Sequence, residues 1–421
     1  MKLEPPHLLA SRQEVLVFLG LVFLLFIISL WGEYHSYRKL TRYDDAVISA
    51  TVEQQYEKRK QGSAYQVLKL RSEAGAPFFI TVPTALRNLQ GYEVRVWLKT
   101  DRLDFWHYLG GFFAYGAIDA VMPQRQWKFR AGEWIADQHT EPRSGALFAA
   151  LFTATPLPPD LRKALARLGI SHLLAISGFH LGLLSIFLFA LLRLPYRYLQ
   201  THLFPWRNAR RDLFYAAAAV LWGYALFLHY PPSVLRAFAM MLVGFILYDR
   251  GLRLLSFQTL GIAVVLLIAF WPRLLFSAGF WLSVAGVFYI FLFLQRFADR
   301  GRLFTFVGIH LWVYAMMLPI ALALFGTFSI LHPLSVLWTM VFILFYPLGL
   351  LLHAVGAGGI LDTLVVWILE LPATPVRIEV GRWFLAAWAG LSLLALPFKT
   401  VKMLLPFLAA AVFVGAVYQV A

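Results

Sequence analysis

The sequence predicts a polytopic α-helical membrane protein with an N-terminal small β-barrel domain of the OB type. Three observations lead to this fold class. The 421 residues are 60% hydrophobic and 14% charged, whereas ordinary soluble chains are about 45–50% apolar and about 25% charged. Apolar runs long enough to cross a bilayer recur along the chain. A polar stretch near the N-terminus instead alternates with the two-residue period of β-strands.

Residues 1–34 are predicted to be a transmembrane anchor. The run from Val15 to Trp31 approaches the roughly 20 residues that cross a bilayer. It lacks the small-residue cleavage site of a secretory signal, so we expect it to remain uncleaved. Lys2 and Arg12 precede the run, which favours a cytoplasmic N-terminus and places the following residues outside.

Residues 35–125 are predicted to be an extracytoplasmic, OB-like β domain. Alternating segments at 46–53, 68–71 and 93–99 are separated by turns rich in Gly and Pro. Four or five short strands, each buried on one face, are typical of a small barrel.

Residues 126–170 are predicted to be a linker with interfacial amphipathic helices. Leu161, Leu165 and Leu168 form one apolar stripe on a short helix that begins near Pro158. Such a helix either lies on the membrane surface or packs against the helical bundle.

Residues 171–421 are predicted to be a multi-helix transmembrane domain. Its candidate spans are 172–194, 213–229, 233–249, 254–271, 276–294, 303–326, 328–353, 383–397 and 403–420. Basic loops alternate with weakly charged turns, which fits one consistent topology with the β domain outside. After about residue 354 the orientation stays open.

The composition also limits the chemistry. The formal net charge is +15, which reflects either basic cytoplasmic loops or a polyanionic client. The chain has no Cys, which excludes disulfides and thiolate sites. It also lacks a P-loop signature, and no cofactor is expected.

The segment from Ser171 to Gly182 is the most informative, because it places polar side chains inside an apolar run. On an ideal helix, Ser177 and His180 share one face. A small-residue face lies roughly opposite and consists of Ala175, Gly178 and Gly182. The segment is either a packing seam with hydrogen-bonded histidines or a helix wetted on its polar side. No metal site is expected, because the segment contains no carboxylate.

This segment resembles the hallmark of the ComEC family of competence proteins. His172-Leu-Leu-Ala-Ile-Ser-Gly-Phe-His180 differs from the family pattern at Phe179 alone. Ser233-Val-Leu-Arg-Ala237 is similar to an Arg-Ala element of that family, and Gly279-Phe-Trp-Leu-Ser283 to its Gly-Phe-Gln-Leu-Ser element. The resemblance covers nearly the whole chain. Larger members add a metallo-β-lactamase-like domain that this sequence does not show, which implies a short form.

The resemblance implies a channel that translocates single-stranded DNA across the bacterial inner membrane during natural transformation. It is not an enzyme on this interpretation. His172, Ser177, His180, Arg236 and Ser283 become candidates for lining the DNA path. Arg236 either reaches the membrane interface or faces a polar cavity.

The β domain could also hold single strands by stacking and charge. Its DNA-binding candidates are Lys69, Arg71, Arg95, Trp97 and Lys99. The alternative is an ordinary solvated strand face. The implied partners are single-stranded DNA, membrane lipid, an external DNA receptor and a cytosolic ATPase or helicase; a homodimer is also considered.

Two other functions remain under consideration. Ser177 with membrane-embedded histidines loosely resembles an intramembrane Ser/His hydrolase, although such dyads usually join different helices. A small-solute or lipid-linked transporter would also place polar residues centrally.

Overall fold

The computed structural model describes residues 11–60, 63–174, 176–229, 231–249 and 256–420. It is mostly helical, and six of its described helices are long and apolar enough to cross a membrane. The predicted class, a polytopic α-helical membrane protein, is therefore confirmed. The chain divides into two compact units: residues up to Glu133 with 240–254 and 258–281, and residues 134–239, 255–257 and 282–421.

The helices and strands follow one another in this order: α1 (Arg12–Leu40), β1 (Asp45–Lys60), β2 (Ser63–Ser72), β3 (Pro77–Val82), β4 (Tyr92–Lys99), α2 (Phe105–Gly110), β5 (Phe112–Phe113), β6 (Gly116–Arg125), α3 (Trp127–Ala136), α4 (Pro142–Thr153), α5 (Pro159–Arg167), α6 (Gly178–His202), α7 (Ala209–Phe227), α8 (Pro232–Asp249), α9 (Phe257–Phe270), α10 (Ala278–Phe297), α11 (Arg302–Phe325), β7 (Thr327–Phe328), α12 (Ser335–Ala354), α13 (Asp362–Leu369), β8 (Val376–Arg377), α14 (Arg382–Leu394) and α15 (Lys399–Tyr418). The six long apolar helices are Arg12–Leu40, Gly178–His202, Ala278–Arg300, Arg302–Phe325, His332–Ala354 and Lys399–Tyr418.

The first helix is long and apolar enough for the predicted anchor, which stays a prediction. Ser11 and Glu14 form a capping box at its start, which satisfies backbone N–H groups that the helix itself leaves unpaired. Most of its apolar side chains are exposed, for example Leu16 and Phe23, and only Val22 is buried. A helix that exposes an apolar surface of this extent is suited to lipid.

The β domain is an open sheet, so the predicted closed barrel is wrong. Six strands run in the order β5-β3-β2-β1-β4-β6. The two pieces β5 and β6 belong to one stretch of chain, yet β5 pairs with β3 at one edge and β6 with β4 at the other. The order thus begins with β5 and ends with β6, which are not paired with each other, so the sheet is open.

The predicted alternation of buried and outward residues is confirmed. Val52, Leu68 and Val96 are fully buried in one apolar core, and the intervening side chains face outward. Gly116 marks the place where the chain passes between the two edges of the sheet. A Cβ at Gly116 would lie 2.6 Å from the Trp97 carbonyl oxygen, so only glycine allows this approach.

A partly buried ion pair joins distant parts of the first unit. Arg273, in the 3₁₀ turn Pro272–Phe276 after α9, donates two hydrogen bonds of 2.7 and 2.6 Å to the carboxylate of Glu33 near the end of α1. The same guanidinium lies 4.9 Å from the centre of the Tyr108 ring on α2. The end of the anchor, the β domain and this turn are thereby held together.

The second unit packs its helices around several apolar clusters. Leu161, Leu165 and Leu168 of the predicted amphipathic stripe are buried there among aromatic side chains of α4 and α12. The stripe thus packs against protein, and whether α5 also lies at a membrane surface stays a prediction.

A short strand pair closes a loop of helices in this unit. Strand β7 pairs with β8, with Thr327 opposite Arg377 and Phe328 opposite Val376. The chain between the two strands, which includes α12 and α13, therefore starts and ends at the same strand pair.

Breaking the Glu33–Arg273 pair is expected to destabilise the protein. Arg273→Ala leaves a mostly buried carboxylate without its partner. We expect the free energy of unfolding to fall by about 2–3 kcal/mol. This is slightly less than for a fully buried pair, because both side chains keep some contact with solvent. Denaturant-induced unfolding of the purified chain in detergent measures it. The control Arg95→Ala removes an exposed pair with Asp119 (2.9 Å) and should cost under about 1 kcal/mol. Equal losses would contradict the assignment.

Candidate functional site

The polar segment of the sequence lies at the beginning of α6, and most of it is not helical. A 3₁₀ turn covers Ser171–Leu173, and α6 begins at Gly178 with Ser177 as its N-cap. The helical-wheel argument that placed Ser177 on a helix face is therefore wrong, because Ser177 precedes the helix. Serine at this position is favoured because its side chain and backbone can satisfy the first helical turn.

Ser177 and His180 are brought together by this cap. The Ser177 N–H donates to His180 Nδ1 at 3.3 Å, and the Ser177 hydroxyl lies 3.2 Å from the same nitrogen. His180 Nε2 donates to the Leu173 carbonyl at 2.8 Å. His180 is 1% exposed, and these contacts use both of its ring nitrogens. The pair therefore fixes where α6 begins.

His172 is different, because its side chain is exposed. Its Nδ1 lies 3.1 Å from the Gly169 carbonyl, and its Nε2 lies 3.3 Å from the Thr339 hydroxyl on α12. His172 thus hydrogen-bonds to α12 through an exposed side chain, whereas the buried His180 ring packs edge-on against Phe342 and Tyr346 of the same helix, with ring centres 5.1 Å apart.

The other predicted residues are placed separately. Ser283 is half-buried on α10, and no contact among the described residues joins it to the α6 cap. Arg236 lies within α8, but its side chain is not among those that the structure describes.

The predicted helix-packing face is only partly described. Ala175 lies outside the described residues. A Cβ at Gly178 would lie 3.6 Å from Ala237 of α8, an ordinary contact distance, whereas Gly182 has no neighbour within 4 Å among the described residues.

A buried polar cluster that the sequence analysis missed lies nearby in the same unit. Its centre is the carboxylate of Asp362, at the start of α13. Oδ1 accepts a 2.5 Å hydrogen bond from His139 Nδ1, and Oδ2 accepts from the Thr140 N–H (3.0 Å), the Thr140 hydroxyl (3.1 Å) and the Glu141 N–H (3.3 Å). His139 Nε2 in turn lies 2.9 Å from His353 Nε2 at the end of α12.

The hydrogen bonds link the two imidazoles to different parts of the chain. His139 Nδ1 donates to the Asp362 carboxylate, and His353 Nδ1 donates to the Gly349 carbonyl at 2.6 Å. The Nε2 atoms of the two rings lie 2.9 Å apart. The cluster is thus a hydrogen-bonded network in which one buried carboxylate connects residues 139–141 to the end of α12 and the start of α13.

Aromatic rings and glycines enclose this cluster. The His139 ring stacks on Phe148 of α4, with ring centres 5.0 Å apart and planes 6° apart. A Cβ at Gly358 would lie 2.6 Å from His353 Nε2, and one at Gly359 would lie 2.8 Å from the Gln138 carbonyl. Glycine is therefore needed at both positions for the two segments to meet.

The comparison with known proteins adds the family. The family model of the competence protein matches residues 153–420, well over half of the chain. This chain belongs to the competence protein family, the ComEC family. An uncharacterized protein of Aquifex aeolicus (strain VF5) is 28% identical over 240 residues, which is 56% of this chain and 50% of the relative. The chain thus aligns with half of the length of that curated relative. No solved structure matches.

Membership in the competence family gives the α6 cap and the Asp362 cluster a functional setting. Both the cap and Asp362 with His353 fall within the matched residues, whereas His139 precedes them. Membership supports a role in DNA uptake during natural competence, in a protein with apolar helices suited to a membrane. Among the described residues, no group of three or more His, Cys, Asp or Glu side chains could hold a metal ion.

The β-domain candidates all lie on the outer face of the sheet, and each has a partner within the domain. Glu53 pairs with Lys69 (3.0 Å) and Arg71 (2.5 Å). The remaining pairs are Arg95 with Asp119 (2.9 Å), Lys99 with Asp101 (3.4 Å) and the Trp97 indole N–H with Asp45 (2.8 Å). Burial raises the pKa of Glu53, but the positive charges of Arg71 and Lys69 together lower it by more, so the pKa lies below its ordinary value. The cationic face is therefore largely neutralised by its own carboxylates.

Aromatic side chains extend the same outer face. Phe79 stacks on Phe113 with ring centres 4.7 Å apart, and Tyr115 meets Trp97 edge-on at 6.1 Å. Phe113 and Tyr115 are 65% and 74% exposed. The sequence analysis found Trp97 but missed the other three, because they lie on β3 or beside β5, outside the alternating segments that it used.

The Asp362 cluster predicts that replacing the carboxylate by an amide of the same shape destabilises the protein. Asp362→Asn puts an amide NH₂ where a carboxylate oxygen accepts hydrogen bonds, so buried donors lose their acceptor. We expect a loss of about 1–3 kcal/mol in the free energy of unfolding. The control Glu379→Gln affects a pair with Arg377 in which both side chains are more than four-fifths exposed, and it should cost almost nothing. Unfolding in detergent measures both variants. A loss for Asp362→Asn no larger than for the control would contradict the role assigned to the Asp362 carboxylate.

Proposed function

We propose that this protein is a channel for single-stranded DNA in the bacterial inner membrane, acting during natural transformation. The observation that carries the proposal is the match to the competence family over residues 153–420. The six apolar helices are consistent with it. On this proposal the N-terminus is cytoplasmic, the β domain is periplasmic, and the protein has no catalytic role.

The electrostatics of DNA explain why such a channel needs partners. Each nucleotide carries a negative charge, and an interior-negative potential opposes the entry of each charge by about 2.3 kcal/mol per 100 mV. The sequence shows no P-loop, so a cytosolic ATPase or helicase is proposed to pull the strand. An external receptor is proposed to deliver it, and a homodimer stays a prediction.

The structure favours distinct roles for the path candidates. Ser177 and His180 hydrogen-bond to each other and to the backbone, so they are proposed to set the position and direction of α6. His172 is exposed beside α12 and is proposed to contact the strand. Arg236 and Ser283 stay path candidates.

A transformation assay tests these roles in a competent strain from which the gene is deleted. We expect deletion to leave DNA bound at the cell surface but to block its arrival in the cytoplasm. His172→Ala should lower transformation roughly tenfold, the effect of about 1.4 kcal/mol. The control His310→Ala removes an imidazole that bonds only to its own helix, at the Phe306 carbonyl, in the described contacts, and should transform normally.

The same assay includes Ser177→Ala and Arg236→Ala, with membrane levels of each variant measured in parallel. Ser185→Ala is the control for Ser177, because it removes a serine hydroxyl from α6, one that bonds to the Leu181 carbonyl rather than to His180. Transformation that persists after deletion would refute the proposal of DNA import.

The outer face of the β domain is proposed to hold the arriving strand by base stacking. Exposed aromatic rings contribute about 1–3 kcal/mol per stacked base, whereas the cations of this face are already paired. The double variant Phe113→Ala/Tyr115→Ala of the full chain should therefore weaken binding of a single-stranded oligothymidine at least tenfold. Lys69→Gln should weaken it less. Trp127→Ala removes another exposed ring of the same unit and should leave binding unchanged. An equal loss of binding in this control would argue against base stacking on the outer face of the β domain.

One observation favours a second function, an intramembrane hydrolase. The Ser177 hydroxyl lies 3.2 Å from His180 Nδ1, and the Leu173 carbonyl orients the opposite ring nitrogen, an arrangement in which a base could activate a serine. Against it, the Ser177 N–H shares the same Nδ1, and His180 is buried. Loss of cleavage of a membrane substrate in Ser177→Ala, with DNA uptake retained, would favour the hydrolase.

A further inference from the structure

A charged cleft in the second unit has no part in the proposed DNA path. Its volume is about 520 Å³, and it opens between α5, the start of α4 and the chain that follows α13. Five charged side chains line it together with apolar ones: Arg143, Asp160, Lys163, Arg167 and Glu370. The cleft thus offers both signs of charge beside an apolar wall.

The charges of this cleft are incompletely paired. Arg143 lies 3.8 Å from Asp160, but the exposed Lys163 and Glu370 have no ion-pair partner among the described side chains. Arg167 donates from Nη2 to the Leu369 carbonyl at 2.7 Å, while its buried Nε–H has no acceptor among the described residues. Unpaired donors of this kind favour an anionic ligand, and the free carboxylate of Glu370 favours a cation.

The cleft lies at the level where spanning helices begin. The carbonyl of Ala166, beside Arg167, accepts a 3.0 Å hydrogen bond from His332 Nε2. His332 is the first residue of one candidate span. Gly169 also lies close to the His332 ring: a Cβ added at Gly169 would be only 3.0 Å from a ring carbon of His332. The ends of spanning helices lie among lipid headgroups.

We propose that this cleft binds the phosphoethanolamine headgroup of a membrane phospholipid. The phosphate interacts with Lys163 and Arg167, and the ammonium group donates to Glu370. A DNA strand fits less well, because two of the five charged side chains are carboxylates that repel a polyanion. An anionic headgroup without an amine leaves Glu370 unpaired.

Binding of soluble short-chain lipids to the purified full chain tests the proposal, with native mass spectrometry in a neutral detergent as the readout. The probes are dihexanoyl phosphatidylethanolamine, the matching phosphatidylglycerol and phosphatidylcholine, inorganic phosphate and a single-stranded oligonucleotide. We expect the ethanolamine lipid to bind about tenfold more tightly than the glycerol lipid. Phosphatidylcholine should also bind more weakly, because its trimethylammonium group donates no hydrogen bond.

Three charge variants locate the site. Glu370→Gln should reduce affinity for the ethanolamine lipid about tenfold and leave affinity for the glycerol lipid unchanged. Lys163→Gln should weaken both. Arg162→Gln is the matched control, because it removes an exposed charge from the same helix that does not line the cleft, and it should change neither.

Three results would overturn the proposal. Equal affinity for the ethanolamine and glycerol lipids, unaffected by Glu370→Gln, would mean that the amine is not recognised. Displacement of lipid by inorganic phosphate at similar affinity would identify a simple phosphate site. Oligonucleotide binding that Lys163→Gln weakens and Glu370→Gln strengthens would identify a DNA contact instead.

Discussion

The second unit depends on one buried carboxylate. Asp362 joins the chain at residues 139–141 to the turn between α12 and α13, although more than 200 residues separate them in sequence. Without this acceptor, two backbone N–H groups, the Thr140 hydroxyl and the His139 N–H would lose their partner in a low-dielectric setting, where unpaired polar groups are costly. Removing the carboxylate therefore affects the position of α4, α12 and α13 together, and α5 and the cleft beside it follow α4 and α13.

The family hallmark at α6 uses its polar side chains in two ways. Ser177 and His180 hydrogen-bond inward, and this fixes the residue at which a long apolar helix begins. His172 stays exposed and reaches α12. A spanning helix needs its first N–H groups satisfied where water is scarce, so a polar cap at this end is a structural requirement as well as a functional opportunity. A residue of the hallmark can therefore be required for the structure of α6 alone.

Much of the fold could be predicted from the sequence, because periodicity reports burial directly. The alternation around Leu68 and Val96 identified the faces of the sheet, and the apolar runs identified the helices. Whether the sheet closes depends on which strands pair at its edges, and the alternation of buried and outward residues carries no information about that pairing. The start of α6 was placed too early, because an apolar run does not reveal a capped end.

The Asp362 cluster was missed for a different reason. His139 and His353 are far apart in sequence, and no spacing rule joins them. A signal did exist: Asp362 is the only Asp or Glu between Asp299 and Glu370, and an isolated carboxylate in an apolar stretch deserves a search for its partner. The sequence could have marked Asp362 as unusual, but the identity of its partners required the structure.

The pairing of β7 with β8 has a consequence for the topology of the C-terminal helices. Since the chain between these strands begins and ends at the same point, it contributes an even number of crossings, whether α12 and α13 traverse the bilayer fully or turn back within it. Whether the total number of membrane crossings is odd or even therefore does not depend on that segment. Helix α14 starts from the side on which α11 ends, and the segment can lengthen, shorten or rearrange without inverting the helices that follow it.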